Sequence, residues 1–461
     1  MSYNEVLLQS YGSNDNFLFT RLAAKSVEIW SKLRAIGGDC WLASHLTAMP
    51  SALFIGAAWE RAEFYDGLCL LTSTGVEKKC CVKDVFVFDS TLQLPKDIGL
   101  IGFASMVLHE WPEGVWKMLK IKNLRCSVQR AVHTRQLAYE GYGNPPEAIQ
   151  LKSINIGDKP AADQVFVKWI AAPINPADLN QIQGVYPVKP TLPAVGGNEG
   201  FGKVISVGSN VKSVKEGDHV IPNKSGLGTW RELGLHSETD VFLIDNELPL
   251  EYAAVFQVNP PTAYRMLKDF IHLKKGDTVV QNGANSAVGK QVIQICRILG
   301  IKSVNVVRNR DNLEDLVKEL KDLGADDVIT QEELYGRKKK FPGVKLALNC
   351  VGGRSSLFLA SLLDHGGCMV TYGGMSKQPV DCPTGPLIFK DISLRGFWMS
   401  RWYDIQKTPE KRQEMYKELA EWMKSGEMKK QAFVNNRLED HARAIEDAQN
   451  KHEKKQLFLL D

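Results

Sequence analysis

The sequence lacks a long uninterrupted hydrophobic run. The longest candidate among its 461 residues is the stretch IGLIGFASMVLHEW, which begins at Ile98 and carries Glu110. A membrane-spanning helix needs about 20 predominantly apolar residues, so we predict no membrane insertion. With 44% hydrophobic and 24% charged residues, the composition is that of an ordinary globular protein. A chain of this length suggests two or three domains.

The chain also lacks a surplus of either charge. Its 57 lysines and arginines are nearly balanced by 53 aspartates and glutamates, for a formal net charge of +4. Proteins that bind nucleic acid usually carry a dense basic patch. We therefore predict no nucleic-acid partner.

The sequence also lacks the cysteine spacing of a zinc site. None of the nine cysteines forms a C-x-x-C pair, so no zinc cluster can be read from the sequence. Cys296 and Cys350 lie within apolar runs, where a buried, reduced thiol is expected. The cysteine usage therefore predicts a reducing compartment.

Residues 1–117 contain no functional motif, but the next segment is distinctive. The stretch MLKIKNLRCSVQRAVHTRQLA, residues 118–138, has five lysines or arginines and no acidic residue. It is amphipathic when drawn as a helix, which is typical of a mitochondrial transit peptide. We hypothesise that Met118 is the native start, that residues 1–117 come from an alternative or misjoined gene model, and that maturation occurs between Gln136 and Tyr139. The alternative is an exposed basic helix that links two domains.

The remaining sequence changes its periodicity once. From Tyr139 to Tyr252, short strands such as QVFVKWIAAP, GKVISVG and GDHVIP are separated by glycine or proline, which indicates a small β-rich domain. After Tyr252, apolar strands alternate with helical lengths: DTVVQN, KSVNVV, DDVIT, KLALNC, GGCMVT and ISLRGFW. This alternation predicts an α/β fold with a doubly wound parallel sheet.

One turn of this α/β region suits a nucleotide. NGANSAVG, residues 282–289, joins a strand to a helix and lacks the GxGxxG pattern, but all its residues are small enough for close approach to a pyrophosphate. Four strands later in the chain, Tyr372 and a glycine pair follow an apolar strand. Open α/β sheets bind ligands at that edge.

The residues after the second strand of this region indicate the cofactor. In VVRNR, Arg308 and Arg310 follow the strand, where NAD-binding proteins place an acidic residue and NADP-binding proteins a cation. Asp311 and Glu314 have capping-box spacing, so we assign Asp311 to the start of the next helix. The sequence therefore predicts NADPH.

The stretch LPAVGGNEGFG, residues 192–202, resembles the medium-chain dehydrogenase/reductase superfamily. Zinc-dependent members carry a metal-ligating histidine before the glutamate, whereas this chain has Asn198 before Glu199 and no cysteine-rich zinc loop. The chain therefore resembles the zinc-free branch, and no metal is expected.

A narrower resemblance covers residues 137–461. The mitochondrial enoyl-acyl carrier protein reductase family, whose members are also called trans-2-enoyl-CoA reductases, is similar in the motifs INPADLNQIQGVYP, LPAVGGNEG, GLGTWR, VNPPTAYRML, NVVRNR, LALNCVGG, MVTYGGMSKQPV and LIFKDISLRGFWMS. The resemblance implies a GroES-like β-rich catalytic domain, residues 139–257 and 402–461, and a Rossmann NADPH-binding domain, residues 258–401. Residues 1–117 are left as an unassigned extension.

The resemblance also implies site residues. Tyr186 is similar to the family's proton donor, and a tyrosine with its ordinary pKa of about 10 stays protonated for that role. In the turn, relatives have a glycine where this chain has Ala287, whose methyl tightens the turn slightly. The expected NADPH contacts are Asn259, Asn285, Ser286, Ala287, Val288, Arg308, Asn309, Arg310, Tyr372, Gly373, Gly374, Met375, Phe397, Trp398, Met399, Ser400 and Lys455.

The expected function is the NADPH-dependent reduction of trans-2-enoyl thioesters, carried by acyl carrier protein or coenzyme A, in mitochondrial fatty acid synthesis. The resemblance implies a homodimer in the mitochondrial matrix. Two alternatives stay open at this point. One is a zinc-free NADPH quinone reductase, and the other is a non-enzymatic binding protein on the same fold.

Overall fold

The computed structural model describes residues 131–336, 341–405, 410–450 and 454–460. All of these residues belong to one compact unit of the chain, Val128–Asp461. The expectations for residues 1–117, and for 118–130 of the transit segment, therefore lie outside the described residues. No helix within the described ranges is long and apolar enough to cross a membrane.

Strands and helices alternate along most of the described chain. The strands are β1 Ala131–Tyr139, β2 Gln150–Gly157, β3 Gln164–Pro173, β4 Ala194–Val195, β5 Phe201–Val207, β6 His219–Pro222, β7 Leu233–Ser237, β8 Val241–Leu243, β9 Thr278–Asn282, β10 Lys302–Val307, β11 Asp327–Thr330, β12 Val344–Asn349, β13 Cys368–Thr371, β14 Ser393–Gly396, β15 Phe433–Asn436 and β16 Lys455–Leu459. The helices are α1 Pro145–Ala148, α2 Pro176–Ile182, α3 Leu250–Ala253, α4 Asn259–Asp269, α5 Ala287–Leu299, α6 Leu313–Asp322, α7 Gln331–Tyr335, α8 Gly353–Leu362, α9 Thr384–Phe389, α10 Met399–Ile405, α11 Glu410–Lys424 and α12 His441–Asn450.

The strands from β9 to β14 form one parallel sheet in the order β11-β10-β9-β12-β13-β14. The strand order reverses beside β9, so the loops after β9, β10, β12 and β13 surround a topological switch point. Ligands of open α/β sheets bind at that place. The predicted doubly wound parallel sheet is confirmed.

The β-rich part contains two sheets. A seven-stranded sheet has the order β15-β16-β3-β5-β6-β8, with β7 also paired to β3, and a three-stranded sheet has the order β2-β1-β4. Their shared core includes the fully buried Trp169, Trp230 and Phe458. Because β16 pairs antiparallel with β3, the end of the chain returns to this β-rich part.

The expected end of the transit segment is wrong. Residues 131–138 belong to strand β1, which pairs with β2 on one edge and with β4 on the other. Leu137 and Tyr139 are buried, and the Arg135 Nε donates to Glu232 Oε1 at 2.6 Å. A cut between Gln136 and Tyr139 would remove this strand from the core, so the folded domain begins no later than Ala131.

Two further expectations differ from the structure. Helix α6 begins at Leu313 after Asn312, so Asp311 does not cap it. Glu314 lies in the first turn, where it favours the helix through its charge. Strand β14 is apolar in part but all four of its residues are exposed, because it lies at the edge of the sheet.

Candidate active site

Tyr186 and Trp398 meet from different parts of the fold. Tyr186 lies in the loop after α2, and Trp398 lies between β14 and α10. The Trp398 Nε1 donates to the Tyr186 hydroxyl at 2.7 Å, and the two rings meet edge to face at 5.8 Å between centroids. Because an indole N–H can only donate, the tyrosine oxygen accepts and its own hydrogen remains available to a ligand.

The surroundings of Tyr186 keep that hydrogen in place. Burial raises the pKa of the Tyr186 hydroxyl above its ordinary value, and hydrogen bonds from Trp398 and Ser400 oppose the rise. The hydroxyl is therefore protonated at neutral and mildly alkaline pH. Ser400 also contacts Ser225 of the β-rich part, with 2.7 Å between the two Oγ atoms.

Buried amide side chains hold the carboxyl edge of the parallel sheet together. Asn282, at the end of β9, donates from Nδ2 to Asn349 Oδ1 at 2.8 Å, and Asn349 donates to Thr371 Oγ1 at 3.1 Å. Asn349 Oδ1 also accepts from the backbone N–H of Val351 and of Gly352. These bonds fix the loops of three neighbouring strands at the switch point.

The turn before α5 is shaped for a close approach. Ser286 caps the helix, since its side chain accepts from the Gly289 N–H at 3.1 Å, and no acidic side chain occupies the first turn. Gly283 has φ +58°, and a Cβ there would lie 2.5 Å from the Cys350 Sγ. The turn that holds Asn285, Ala287 and Val288 therefore leaves a positive helix end free for a pyrophosphate.

The loop from Tyr372 to Met375 lies beside this turn. The Tyr372 N–H donates to Asn349 O and the Met375 N–H donates to Cys350 O, both at 2.9 Å. Gly373 packs so closely that a Cβ would lie 3.2 Å from the Cys350 Cβ. Gly374 has open space around it. Cys350 is thus the point where the turn before α5 and this loop meet.

Arg308, Asn309 and Arg310 follow β10 at the same edge. Arg308 and Asn309 are exposed and Arg310 is half-buried. The Asn309 Oδ1 accepts from the Arg310 N–H at 3.0 Å. Neither guanidinium forms an ion pair with an acidic side chain in the part of the chain that the structure describes. Both charges are therefore available to a phosphate.

Phe397, Met399 and Ser400 flank the Trp398 contact. The Phe397 N–H donates to Thr371 O at 2.9 Å, which ties this segment to the end of β13. Met399 is buried at the start of α10. The structure thus brings this expected cofactor segment beside the expected proton donor.

A buried network of polar side chains was not predicted from the sequence. Glu199 is fully buried, and its Oε1 accepts from the Val258 N–H and its Oε2 from Asn175 Nδ2, both at 2.7 Å. The Asn175 Oδ1 in turn accepts from Lys455 Nζ at 2.6 Å. Lys455, expected as a cofactor contact, is therefore linked to the residue that precedes Asn259. The only sequence signal was the position of Glu199 in the NEG motif.

The place of the metal-ligating histidine is filled by an amide. The Asn198 Nδ2 donates to Asp178 Oδ1 at 2.7 Å, and the Asn198 Oδ1 accepts from the Gly226 N–H at 2.6 Å. Its polar atoms are thus used within the fold. Within the described ranges, no group of three histidine, cysteine, aspartate or glutamate side chains is placed to hold a metal ion.

Asn259 and Gln257 carry unpaired polar atoms that fit a cofactor. Both side chains are buried, and the Asn259 Nδ2 and the Gln257 Oε1 have no hydrogen-bond partner among the described residues. A buried polar group without a partner costs about 1–3 kcal/mol. One unpaired donor and one unpaired acceptor therefore lie, two residues apart, on the segment that leads into α4. Gln257 was not anticipated from the sequence.

Two family descriptions match the chain. The family described as alcohol dehydrogenase GroES-like domain matches residues 161–245, and the family described as zinc-binding dehydrogenase matches residues 287–424. The chain is 83% identical over 344 residues to the mitochondrial enoyl-acyl carrier protein reductase of Caenorhabditis elegans, which is 75% of this chain and 100% of that protein.

Solved structures agree with this similarity. The complex of Etr1p with NADP and crotonyl-CoA has a TM-score of 0.65 and 34% identity, and the match covers 71% of this chain and 100% of that one. The mitochondrial 2-enoyl thioester reductase Etr1p/Etr2p heterodimer from Candida tropicalis has the same TM-score, identity and coverage.

Proposed function

Because the chain belongs to the family of mitochondrial enoyl-acyl carrier protein reductases, we propose that Tyr186 is the group that stabilises and protonates its substrate. The chain is an NADPH-dependent enoyl thioester reductase of mitochondria. The observation that carries the role of Tyr186 is its hydroxyl, which accepts from Trp398 and keeps its own hydrogen free. The quinone reductase and binding-protein alternatives lose their support, because the relative and the solved structures reported above are named as enoyl reductases or enoyl thioester reductases, or hold an enoyl thioester.

Reduction of an enoyl thioester needs a hydrogen-bond donor at the thioester oxygen. NADPH, when bound, supplies a hydride to the β-carbon of the enoyl thioester, and negative charge moves onto the thioester oxygen and the α-carbon. The Tyr186 hydroxyl faces this charge with a hydrogen bond and then provides the proton for the α-carbon. The raised pKa of this tyrosine means that the proton is present before the reaction begins.

The cofactor contacts are proposed from their position around the switch point. The turn from Asn285 to Val288 would hold the pyrophosphate, and Arg308 with Arg310 would hold the 2′-phosphate. The segments Tyr372–Met375 and Phe397–Ser400, with Asn259 and Lys455, would surround the remainder. We place the NADPH-binding domain at residues 258–401 and the catalytic domain at 131–257 and 402–461, with the start moved to include β1.

The substrate carrier and compartment are also part of the proposal. We propose that the natural substrate is a 2-enoyl chain on acyl carrier protein or coenzyme A in the mitochondrial matrix. The test follows NADPH oxidation with trans-2-enoyl thioesters of several chain lengths on both carriers, beside a quinone. Oxidation with the quinone but with no thioester would contradict the assignment.

The exposed edge strand supports a homodimer. Strand β14 leaves one edge of the parallel sheet open, with Leu394 41% exposed on it, and Phe389 and Ile388 of the preceding helix are 81% and 63% exposed. An open edge beside a large exposed apolar surface marks an association site. Two copies related by a two-fold axis would pair β14 with β14 and cover these side chains.

Charged substitutions at this edge are expected to separate the dimer. Combining Leu394→Lys with Phe389→Asp should shift the mass of the particle in solution from two chains to one, because both would place a charge in an apolar contact. Sedimentation analysis measures the mass. Leu243→Asp is the control, since Leu243 is 46% exposed on β8, in the other sheet. A dimer that survives the double change would place the interface elsewhere.

The start of the functional protein is expected at Met118. The similarity to the nematode relative spans 344 residues, which equals the length of the chain from Met118 to Asp461. Strand β1 must be kept, so the mature N-terminus should lie before Ala131. Mass spectrometry of the protein from mitochondria reads this terminus. A fragment of residues 131–461 should reduce enoyl thioesters, and a natural protein that retains residues 1–117 would contradict the expectation.

A further inference from the structure

Glu199, between β4 and β5, is hydrogen-bonded to the residue before α4 through the Val258 N–H. We propose that the negative charge of Glu199 holds the segment Gln257–Asn259 in the conformation that binds NADPH, so that Glu199 is a positioning residue whose ionisation controls cofactor binding. The proposal rests on the assignment of Asn259 as a cofactor contact. It goes beyond that assignment because Glu199 itself contacts the protein rather than the ligand.

The geometry of the carboxylate carries the argument. Each oxygen accepts one N–H at 2.7 Å, from Val258 and from Asn175. The Val258 N–H lies between Gln257 and Asn259, whose side chains carry the free acceptor and the free donor. A primary carboxamide, such as that of nicotinamide, carries both a donor group and an acceptor, so it has the kind of partner that each of these atoms lacks. The bond to Val258 therefore fixes the segment that carries both free atoms.

Charged and titratable groups face Glu199 from several elements. Lys455 of β16 favours its charge, Asp178 of α2 opposes it, and Tyr403 of α10 and Tyr416 of α11 also lie close enough to interact with it. The Arg412 guanidinium lies over the Tyr403 ring, with 4.3 Å between its Cζ and the ring centroid. Burial raises the pKa of Glu199 to about 7, although Lys455 and the two hydrogen bonds oppose the rise.

The direction of the pH dependence follows from that value. Below the pKa of Glu199 the carboxyl is protonated and must direct an O–H toward neighbours that are themselves donors. Above it, both oxygens accept. NADPH affinity should therefore rise with pH through about 7. The 2′-phosphate of the cofactor also titrates, near pH 6 as for other phosphomonoesters, so a variant comparison is needed to isolate Glu199.

Glu199→Gln is the first test. A glutamine places an NH₂ group against one of the two N–H donors, so one bond is lost and the charge is removed. We expect the Kd for NADPH at pH 8, measured by cofactor fluorescence, to rise about 10- to 100-fold, the range for a hydrogen bond to a charged group. The rise of affinity with pH should shrink to the part that the 2′-phosphate contributes.

An exchange of the two partners provides the rescue. In the double variant Glu199→Gln with Asn175→Asp, the glutamine amide donates to the new carboxylate, its oxygen still accepts from Val258, and the carboxylate still accepts from Lys455. The net charge equals that of the wild type. The double variant should recover most of the NADPH affinity, whereas Asn175→Asp alone sets two carboxylates together and should bind more weakly than the wild type.

Three results separate this proposal from a general loss of structure. Thermal melting of each variant reports folding, and the wild-type affinity profile tests the proposal even where a variant does not fold. A wild-type profile without a rise near pH 7, a rise as large in Glu199→Gln as in the wild type, or a double variant no better than Glu199→Gln would overturn it. Asn259→Ala tests the underlying assignment separately, because it should weaken NADPH at every pH and leave the rise in place.

Discussion

Replacing Tyr186 with phenylalanine is expected to lower turnover on a trans-2-enoyl thioester about 100- to 1,000-fold, the range for loss of one donor to a developing oxyanion. The change removes the hydroxyl hydrogen, which is free for a ligand because the hydroxyl oxygen accepts its bond from Trp398. The ring and its edge-to-face contact with Trp398 remain. Affinity for NADPH should change little, because the hydroxyl acts mainly in the transition state.

The measurement compares kcat with the Kd for NADPH. Tyr142→Phe is the matched control, since Tyr142 is a tyrosine of the same β-rich part with 44% of its surface exposed, and it should retain turnover. Normal turnover in Tyr186→Phe would reassign the proton donor to another residue or to water. An equal loss of turnover and of NADPH affinity would indicate a structural role.

Replacing Arg308 with alanine is expected to weaken NADPH binding about 10- to 100-fold, because a charge-assisted contact contributes about 1.5–3 kcal/mol. NADH has no 2′-phosphate, so its use should stay nearly unchanged. Arg308 is exposed at the carboxyl edge and has no acidic partner among the described residues, so little folding stability should be lost. The ratio of kcat/KM for the two cofactors is the quantity to measure.

Lys302→Ala is the control for this prediction. Lys302 is exposed at the other end of the same strand, β10, so its loss removes one positive charge far from the ligand edge. The preference for NADPH should persist in that variant. An equal effect of Arg308→Ala on both cofactors would show that Arg308 does not read the phosphate.

The sequence predicted those elements whose pattern of apolar and small residues spans only a short stretch of the chain. The apolar strands of the Rossmann sheet and the small-residue turn before α5 were readable because each depends on residues close together in the chain. The helical reading of the basic segment was wrong over residues 131–138, where pairing of β1 with β2 and β4 overrides a local amphipathic pattern. Strand pairing of this kind is set by distant residues.

The polar network could not be predicted for the same reason. Asn175 follows β3 and Glu199 precedes β5, which pairs with β3, whereas Lys455 lies 280 residues after Asn175 and joins them because β16 also pairs with β3. Gln257 lies in an ordinary stretch, and its unpaired oxygen becomes visible only when burial is known. Tyr186 was proposed as the proton donor through resemblance, since a lone tyrosine on a loop carries no chemical pattern.

The open edge of β14 also bears on how the protein is made. A newly folded chain presents unpaired backbone N–H and C=O groups of β14 together with the exposed Phe389 and Ile388. Such an edge can recruit any extended segment nearby, and this is a common route to aggregation. Association with a second copy would cover it. If the proposed dimer forms through β14, the yield of folded protein should depend on how quickly each new chain meets a second copy, and dilute or slow synthesis should leave more chains with this edge unprotected.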